Sequence, residues 1–222
     1  MRVIRFVRDT PCATLLGAQI LGVLLYPFLE DSVAGGALLA IFGFLVLGLV
    51  VIAVRATPML SWVVLLVAAP ATVLLVAQVF VSSPGLNAWS SGFEAVLYFY
   101  AAASMLAYML ADEVVTTDEL FAIGAVFTLL AWAFAHTFVV VQALDPGSFI
   151  AAVAPNEPRS WTELLFLSFS TLSGTGLSDI VPVKDHARSV VMLEQLAGLF
   201  YIAMVVARLV GLSAGRIRRG LK

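Results

Sequence analysis

The chain has 222 residues, of which 62% are hydrophobic and only 12% are charged. Since soluble domains carry about 25% charged residues, this composition excludes an ordinary soluble protein and predicts an integral membrane protein. The formal net charge of -2 gives no sign of a nucleic-acid partner, and the single cysteine, Cys12, excludes an intramolecular disulfide.

Six long apolar runs follow one another along the chain. A crossing helix needs about 20 mostly apolar residues, so each run predicts one membrane crossing. The fifth run is preceded by Thr117, Asp118 and Glu119, which indicate a helix cap with acids in the first turn. The runs cover residues 10–29, 35–54, 58–81, approximately 89–111, 120–144 and 188–212.

A seventh apolar segment, residues 161–172, is too short to cross. A helix of about 12 residues spans roughly 18 Å, against a hydrocarbon core of about 30 Å. Small and hydroxyl residues follow it from Ser173 to Ser178, and then comes Asp179. Irregular backbone at membrane depth persists only where protein buries it or where it lines a water-filled path. The spacing therefore predicts a re-entrant pore loop, and with it a channel.

The distribution of Lys and Arg predicts the topology, because cytoplasmic loops favour these residues. Basic residues occur at both ends of the chain, so with six crossings both termini are expected in the cytoplasm. The expected location of the protein is a bacterial inner membrane. No Lys or Arg occurs between residues 56 and 158, which excludes a voltage sensor built on a charged fourth helix. The basic residues at the two ends are Arg2, Arg5, Arg8, Arg216, Arg218, Arg219 and Lys222.

These patterns predict an all-α polytopic membrane protein with three regions. Residues 1–118 form a peripheral four-helix membrane domain, residues 119–212 form a pore domain, and residues 213–222 form a basic cytoplasmic tail. No enzyme motif is apparent in the sequence: the two histidines, His136 and His186, and Cys12 do not have the spacing of a metal cluster. No cofactor is expected.

The stretch from residue 168 to residue 212 resembles the pore module of the two-helix potassium-channel superfamily. Such a module has a Thr-rich pore-helix end, a Thr-Val-Gly-Tyr-Gly-Asp filter and an inner helix. Loop and helix match together, which makes the resemblance specific. The matching positions are Thr171, Leu172, Gly176, Asp179, Ile180, Val181, Pro182, Ala187, Arg188, Leu193, Glu194, Gly198 and 207–211.

The filter departs from that pattern. Gly174 stands where the family has the innermost Thr, Thr175 where it has Val, Leu177 where it has Tyr, and Ser178 where it has the second Gly. Leu177 would keep an apolar anchor behind the filter. A left-handed conformation at Ser178 would cost about 1–2 kcal/mol relative to Gly.

The resemblance implies a homotetramer in the lipid bilayer that passes K⁺ passively through backbone carbonyl sites. The carbonyls would come from residues 174–178, and Asp179 would lie at the outer mouth. Gly198 is a candidate gating hinge in the inner helix, although a small residue there also permits close helix packing. Three further residues, Ser170, Thr171 and Glu194, are expected to support the filter.

Several alternatives remain open at this point. Gly174 and Gly176 could themselves be the Gly-x-Gly pair, which moves the filter two residues towards the amino end and loses the match at Asp179. The pore could be a weakly selective channel for monovalent cations. The loop could also be a collapsed hairpin in a non-conducting membrane interaction protein. Asp179 could bond Ser170 instead of facing the mouth.

Two ionisable residues occur within the apolar runs, Glu94 in the fourth and His136 in the fifth. Ionisable groups at membrane depth indicate function by default, and histidine titrates near physiological pH. The two could form a pair that makes gating sensitive to external pH. The alternative is an interhelical bond that fixes packing.

Overall fold

The chain folds into helices joined near one end by a short two-stranded sheet. The structure, a computed structural model, describes residues 10–29, 33–55, 61–80, 83–111 and 116–220. The elements within these ranges are α1 (Pro11–Leu29), α2 (Val33–Arg55), α3 (Ser61–Phe80), α4 (Pro84–Leu110), α5 (Thr117–Leu144), β1 (Phe149–Ala151), α6 (Trp161–Leu172), β2 (Ile180–Pro182) and α7 (Asp185–Gly220).

Each of the six apolar runs forms a helix, and the short seventh segment forms α6. Among the residues described, four helices are long and apolar enough to cross a membrane: α1, α4, α5 and α7, the last over Asp185–Gly211. The apolar stretches of α2 and α3 are shorter over the residues described, Ile41–Ala53 and Trp62–Gln78. Six crossings therefore stay a prediction. So does the cytoplasmic position of the termini, because Arg2, Arg5 and Arg8 lie outside the described residues.

Local capping explains where the helix boundaries differ from those predicted. Helix α4 begins at Pro84 because the Ser83 hydroxyl accepts a hydrogen bond from the Leu86 N–H, 3.2 Å away. The cap of α5 is Thr116 and not Thr117: its hydroxyl accepts from the Glu119 N–H at 3.2 Å. Helix α7 continues past residue 212 to Gly220, so the predicted tail begins as helix.

Helix α5 is the central element of the fold. Its alanines leave room for close neighbours, as small residues do between membrane helices. One buried cluster joins α5 to the peripheral helices, and a second joins it to β1, β2, α6 and α7. Representative members of the first are Leu15, Val46, Leu97 and Leu129, and of the second Phe138, Phe149, Leu164 and Ile180.

The amino end of α5 also ties two other helices to the bundle. The Asp118 carboxylate accepts hydrogen bonds from the N–H groups of Cys12 and Ala13, at 3.2 and 3.4 Å, and so caps α1. The neighbouring Glu119 lies 3.4 Å from the Arg208 guanidinium of α7 and is buried. This end of the fold is therefore held by polar contacts as well as by apolar packing.

At the opposite end, the sheet joins the segment after α5 to the segment before α7. Strands β1 and β2 are antiparallel, with Ile150 opposite Val181. The Val183 N–H donates to the Ser148 carbonyl at 2.9 Å, and the Lys184 ammonium pairs with the Asp145 carboxylate. The sequence analysis did not predict this sheet. It fixes the chain on both sides of the short helix α6.

Helix α6 begins with a capping box. The Ser160 hydroxyl accepts from the Glu163 N–H at 3.3 Å, and the Glu163 carboxylate accepts from the Ser160 N–H at 2.7 Å. Just before it, the Arg159 guanidinium is buried; it donates to the Val153 carbonyl at 3.3 Å and to Glu163 at 3.0 Å. The Gln142 side chain of α5 bonds both the N–H and the carbonyl of Arg159. The start of α6 is therefore fixed to α5.

We expect Ser160→Ala to lower the free energy of unfolding by about 1 kcal/mol, because the Glu163 N–H at the start of α6 loses its side-chain acceptor. Thermal unfolding in detergent measures this. In the Glu163→Gln background the same substitution should cost less, since the reciprocal bond is already weakened. Equal losses in both backgrounds would show that the two side chains act independently.

Candidate functional site

The loop after α6 folds back onto the last turn of that helix. The Ser170 carbonyl accepts three hydrogen bonds: from the Gly176 N–H at 3.2 Å, from the Thr175 hydroxyl at 3.3 Å and from the Ser173 hydroxyl at 3.3 Å. The Gly174 N–H donates to the Thr171 carbonyl at 3.1 Å. The carbonyls at the end of the helix are thus satisfied by the loop that follows them, as helix ends require.

Two glycines give the loop its shape. Gly174 has φ +71° and Gly176 has φ +67°, both in the left-handed region that favours glycine. Ser178 is not left-handed, so the cost expected there does not arise. Its hydroxyl instead accepts a hydrogen bond from the Ile180 N–H at 3.1 Å. The two left-handed residues of the loop are therefore Gly174 and Gly176. Both filter registers considered in the sequence analysis include them.

The loop presents its tip away from its own chain. Residues 174–177 are exposed, and Leu177 is 76% exposed, so it does not pack behind the loop of its own chain as the expected apolar anchor. Asp179 is also exposed. The Ser170 hydroxyl is buried and has no hydrogen-bond partner, so the alternative bond between Asp179 and Ser170 is not formed. Thr171 lies buried beneath the loop.

Glu194 lies behind the loop, against α6. It is fully buried, and its Oε1 bonds the Ser168 hydroxyl of α6, while its Oε2 has no partner. The same hydroxyl lies 2.7 Å from the Ala131 carbonyl of α5. A serine has one proton and can donate to only one of these two acceptors. If it donates to Ala131, the contact with Glu194 requires a proton on the carboxyl group. The three residues join α5, α6 and α7 at one point.

Gly198 lies where α7 meets the end of α6. A Cβ atom at this position would lie 2.0 Å from the Leu172 carbonyl oxygen and 2.8 Å from its carbon. No side chain fits such a gap, because the atoms in the way are backbone. Close packing therefore requires glycine here. Whether the residue also acts as a hinge stays a prediction.

Glu94 and His136 are brought together, although they belong to different helices. The Glu94 Oε2 atom of α4 lies 2.9 Å from the His136 Nε2 atom of α5. The second carboxylate oxygen of Glu94 accepts from the Ser90 hydroxyl at 3.0 Å. The pair lies on the side of the fold where α6 begins, since the His136 ring is 4.2 Å from that of Trp161.

The sequence analysis did not identify several residues that are important at this site. Ser160 and Glu163 have the Ser-x-x-Glu spacing of a capping box, which could have located the start of α6. Arg159 is the first basic residue after a long stretch without one, directly before α6. Ser168 and Gln142 carry no comparable signal, because their partners lie 26 and 17 residues away in the chain.

Comparison with known proteins identifies the class. A family model described as an ion channel matches residues 95–212, more than half of the chain. The match begins in α4 and contains the whole of α5, the sheet, α6 and the loop. The protein belongs to this ion-channel family, and its apolar helices agree with an integral membrane protein. Comparison with curated proteins gives no match, and comparison with solved structures gives none.

We expect Gly198→Ala to destabilise the protein by about 1–3 kcal/mol, because the new methyl group overlaps the Leu172 carbonyl. In a chain of this size each kcal/mol lowers Tm by roughly 2–4 °C. The control is Gly211→Ala in the same helix, where nothing lies within 4 Å. An unchanged Tm for Gly198→Ala, with altered gating alone, would favour the hinge over the packing role.

Ser168→Ala removes the one hydrogen bond that the structure gives to the Glu194 side chain. Leaving a buried polar group without a partner costs about 1–3 kcal/mol, so Tm should fall. Ser189→Ala is the control, since this exposed hydroxyl bonds only within α7. Equal thermal stability of the two variants would show that the buried bond contributes nothing.

Proposed function

We propose that the protein is a subunit of a homotetrameric, potassium-channel-like cation channel. The carbonyl oxygens of residues 174–178 would replace the water shell of K⁺ as it passes. Conduction is passive, and it is not gated by a charged fourth helix, because α4 contains no Lys or Arg. The proposal extends family membership, which by itself establishes the channel class and not the ion.

The left-handed glycine pair after a short, fixed helix carries this proposal. Successive carbonyls can point towards a common axis only where the backbone reaches angles that other residues disfavour, and Gly174 and Gly176 adopt such angles. Helix α6 ends at the loop, so the negative end of its dipole would favour a cation there. The loop donates three hydrogen bonds to the Ser170 carbonyl of the helix. None of these three bonds occupies a carbonyl of the loop itself.

Exposed apolar residues near the loop support an assembly of several copies. One loop cannot enclose an axis, so neighbouring subunits must complete the path. Leu177 on the loop and Phe166 on α6 are 76% and 50% exposed, and Leu193 on α7 is 61% exposed. In a ring of four subunits a neighbour would cover side chains at the level of the loop. Asp179 would then form part of a ring of four carboxylates, which concentrates cations at the mouth.

A weakly selective monovalent cation channel is the second candidate, and one observation favours it. Selectivity depends on the number and arrangement of the coordinating oxygens. Ser178 does not adopt the left-handed angle of a second filter glycine, and Gly174 offers no hydroxyl at the innermost position. Both features reduce the similarity to a strongly selective filter.

Flux through the purified protein in liposomes tests both candidates. We expect K⁺ to pass, Na⁺ to pass more slowly and a large organic cation to be excluded. Similar rates for K⁺ and Na⁺ would establish the weakly selective channel. No flux of any cation, from protein that chemical cross-linking shows to be tetrameric, would favour a non-conducting membrane interaction protein.

We expect Gly176→Ala to abolish flux, because a side chain at φ +67° is strained by about 1–2 kcal/mol and the carbonyl would turn away. Gly147→Ala is the matched control, since Gly147 has φ +79° but lies outside the loop. The control should lose similar stability and keep its flux. If both variants conduct like the parent protein, the glycine conformation does not shape the pathway.

A further inference from the structure

One buried histidine of α5 contacts both α4 and α6. His136 is 8% exposed, and its Nε2 atom lies 2.9 Å from a carboxylate oxygen of Glu94 on α4. The His136 ring also contacts α6: the His136 and Trp161 ring centroids are 4.2 Å apart, with the planes tilted by 43°. Trp161 is the first residue of α6. One imidazole therefore contacts both the peripheral fourth helix and the helix that precedes the loop.

The hydrogen-bond arrangement of this histidine is incomplete. Its Nδ1 atom is buried and has no partner, while Nε2 faces Glu94. In the neutral ring, Nε2–H donates to the carboxylate and Nδ1 is an unused acceptor. A second proton makes Nδ1 a donor with no acceptor beside it, which is costly in a buried site. Binding a proton must therefore change the surroundings of the ring.

The same proton strengthens two of the ring's contacts. The imidazolium would face the Glu94 carboxylate as a full ion pair, and it would lie against the Trp161 ring as a cation does in a cation–π contact. Both attractions pull on the histidine, one towards α4 and one towards α6. The charge state of His136 therefore affects how firmly the start of α6 is held.

The groups around the pair can be named element by element. From α4, Glu94 faces the histidine, and the Tyr98 ring centroid lies 5.5 Å away. From α1, Tyr26 contacts Trp161 at 6.1 Å. At the start of α6 the charged groups are Arg159 and Glu163, which bond each other at 3.0 Å. Within the described residues, Glu94 is thus the charge that directly opposes a protonated His136.

We propose that His136 is a proton-binding positioning residue through which helix α4 acts on α6 and on the loop that follows it. Histidine ordinarily gains and loses a proton between about pH 5 and 8. Protonation would shift Trp161 and the start of α6, and conduction would change with it. This gives the peripheral helices a function other than voltage sensing: α4 supplies the carboxylate that faces the histidine. The effect on conduction rests on the proposed channel function.

Tryptophan fluorescence of the full-length protein in liposomes tests proton binding without any need for conduction. A protonated imidazole quenches a neighbouring indole, so emission should fall as the pH is lowered from about 8 to 5. The chain has four tryptophans, and the difference between the parent protein and Trp161→Phe isolates the relevant one. The pH-dependent part should disappear in His136→Gln. The pH-dependent part should also change in Glu94→Gln, because a protonated ring loses the carboxylate that faces it at 2.9 Å.

His186→Gln is the matched control, since His186 is exposed at the start of α7 and lies outside the pair. It should keep the full fluorescence titration. The proposal is overturned if this variant loses the titration, or if His136→Gln and Glu94→Gln retain it unchanged while eluting as folded protein. Persistence of the signal in Trp161→Phe would equally exclude the contact with α6.

Flux over the same pH range tests the action on the pore. We expect conduction to change by about five-fold or more, the lower end of the usual coupling between two sites. Trp161→Leu should flatten this profile without abolishing flux, because the ring contact is lost and the loop is kept. A protein that shows the fluorescence titration and a flat flux profile binds the proton without acting on the pore, which refutes the coupling. A protein that shows the titration and no flux at any pH refutes the channel function instead.

Discussion

The backbone contact between Gly198 and Leu172 is the constraint on which the site depends. It brings helix α7 against the carboxyl end of α6 with no side chain between them. Glu194 lies one turn earlier in α7, and the same approach brings its carboxyl group to Ser168. The other end of α6 is fixed by its capping box and by Arg159. A short helix held at both ends leaves little freedom for the loop that follows.

Helix α5 contacts α6, or the residue just before it, at three points along its length. Its Ala131 carbonyl lies at the buried node with Ser168, its His136 ring contacts Trp161, and its Gln142 side chain binds the backbone of Arg159. On its other side α5 packs with the peripheral helices. Helix α5 therefore contacts both groups of helices, and packed side chains and hydrogen bonds connect one side of it to the other. Coupling between distant sites needs such continuous contact or a shared equilibrium.

Much of the fold could be predicted from the sequence, because the length of each apolar run indicates whether it forms a helix that can cross a membrane. An apolar run of about 20 residues has few alternatives to a membrane helix, and the short segment at 161–172 was distinct for the same reason. The start of α5 was displaced by one residue, since Thr116 and Thr117 are equally good caps and only the backbone decides between them. The β1–β2 sheet has strands of three residues, too short for any periodic pattern.

The site was less predictable, because its contacts join residues far apart in the chain. The types of Glu94 and His136 suggested a pair, and the structure brings them together, yet nothing in the sequence indicated Trp161 as their neighbour. The sequence shows Gly198 as a glycine within a helix, but glycine is required there because the backbone of another helix lies against it. The filter register stays a prediction: Gly174 and Ser178 depart from the residue types that the pattern expects, and both registers contain the left-handed pair Gly174 and Gly176.

The cap that Asp118 provides for α1 has a consequence for how the protein is made. Its Oδ1 atom accepts from the N–H groups of Cys12 and Ala13, which precede it by 106 and 105 residues. At about 5–20 residues per second, a ribosome needs roughly 5–20 s to cover that distance. Throughout this interval the first helix lacks the acceptor that Asp118 provides. The capped form of its amino end is therefore reached only after the start of the fifth helix has been synthesised.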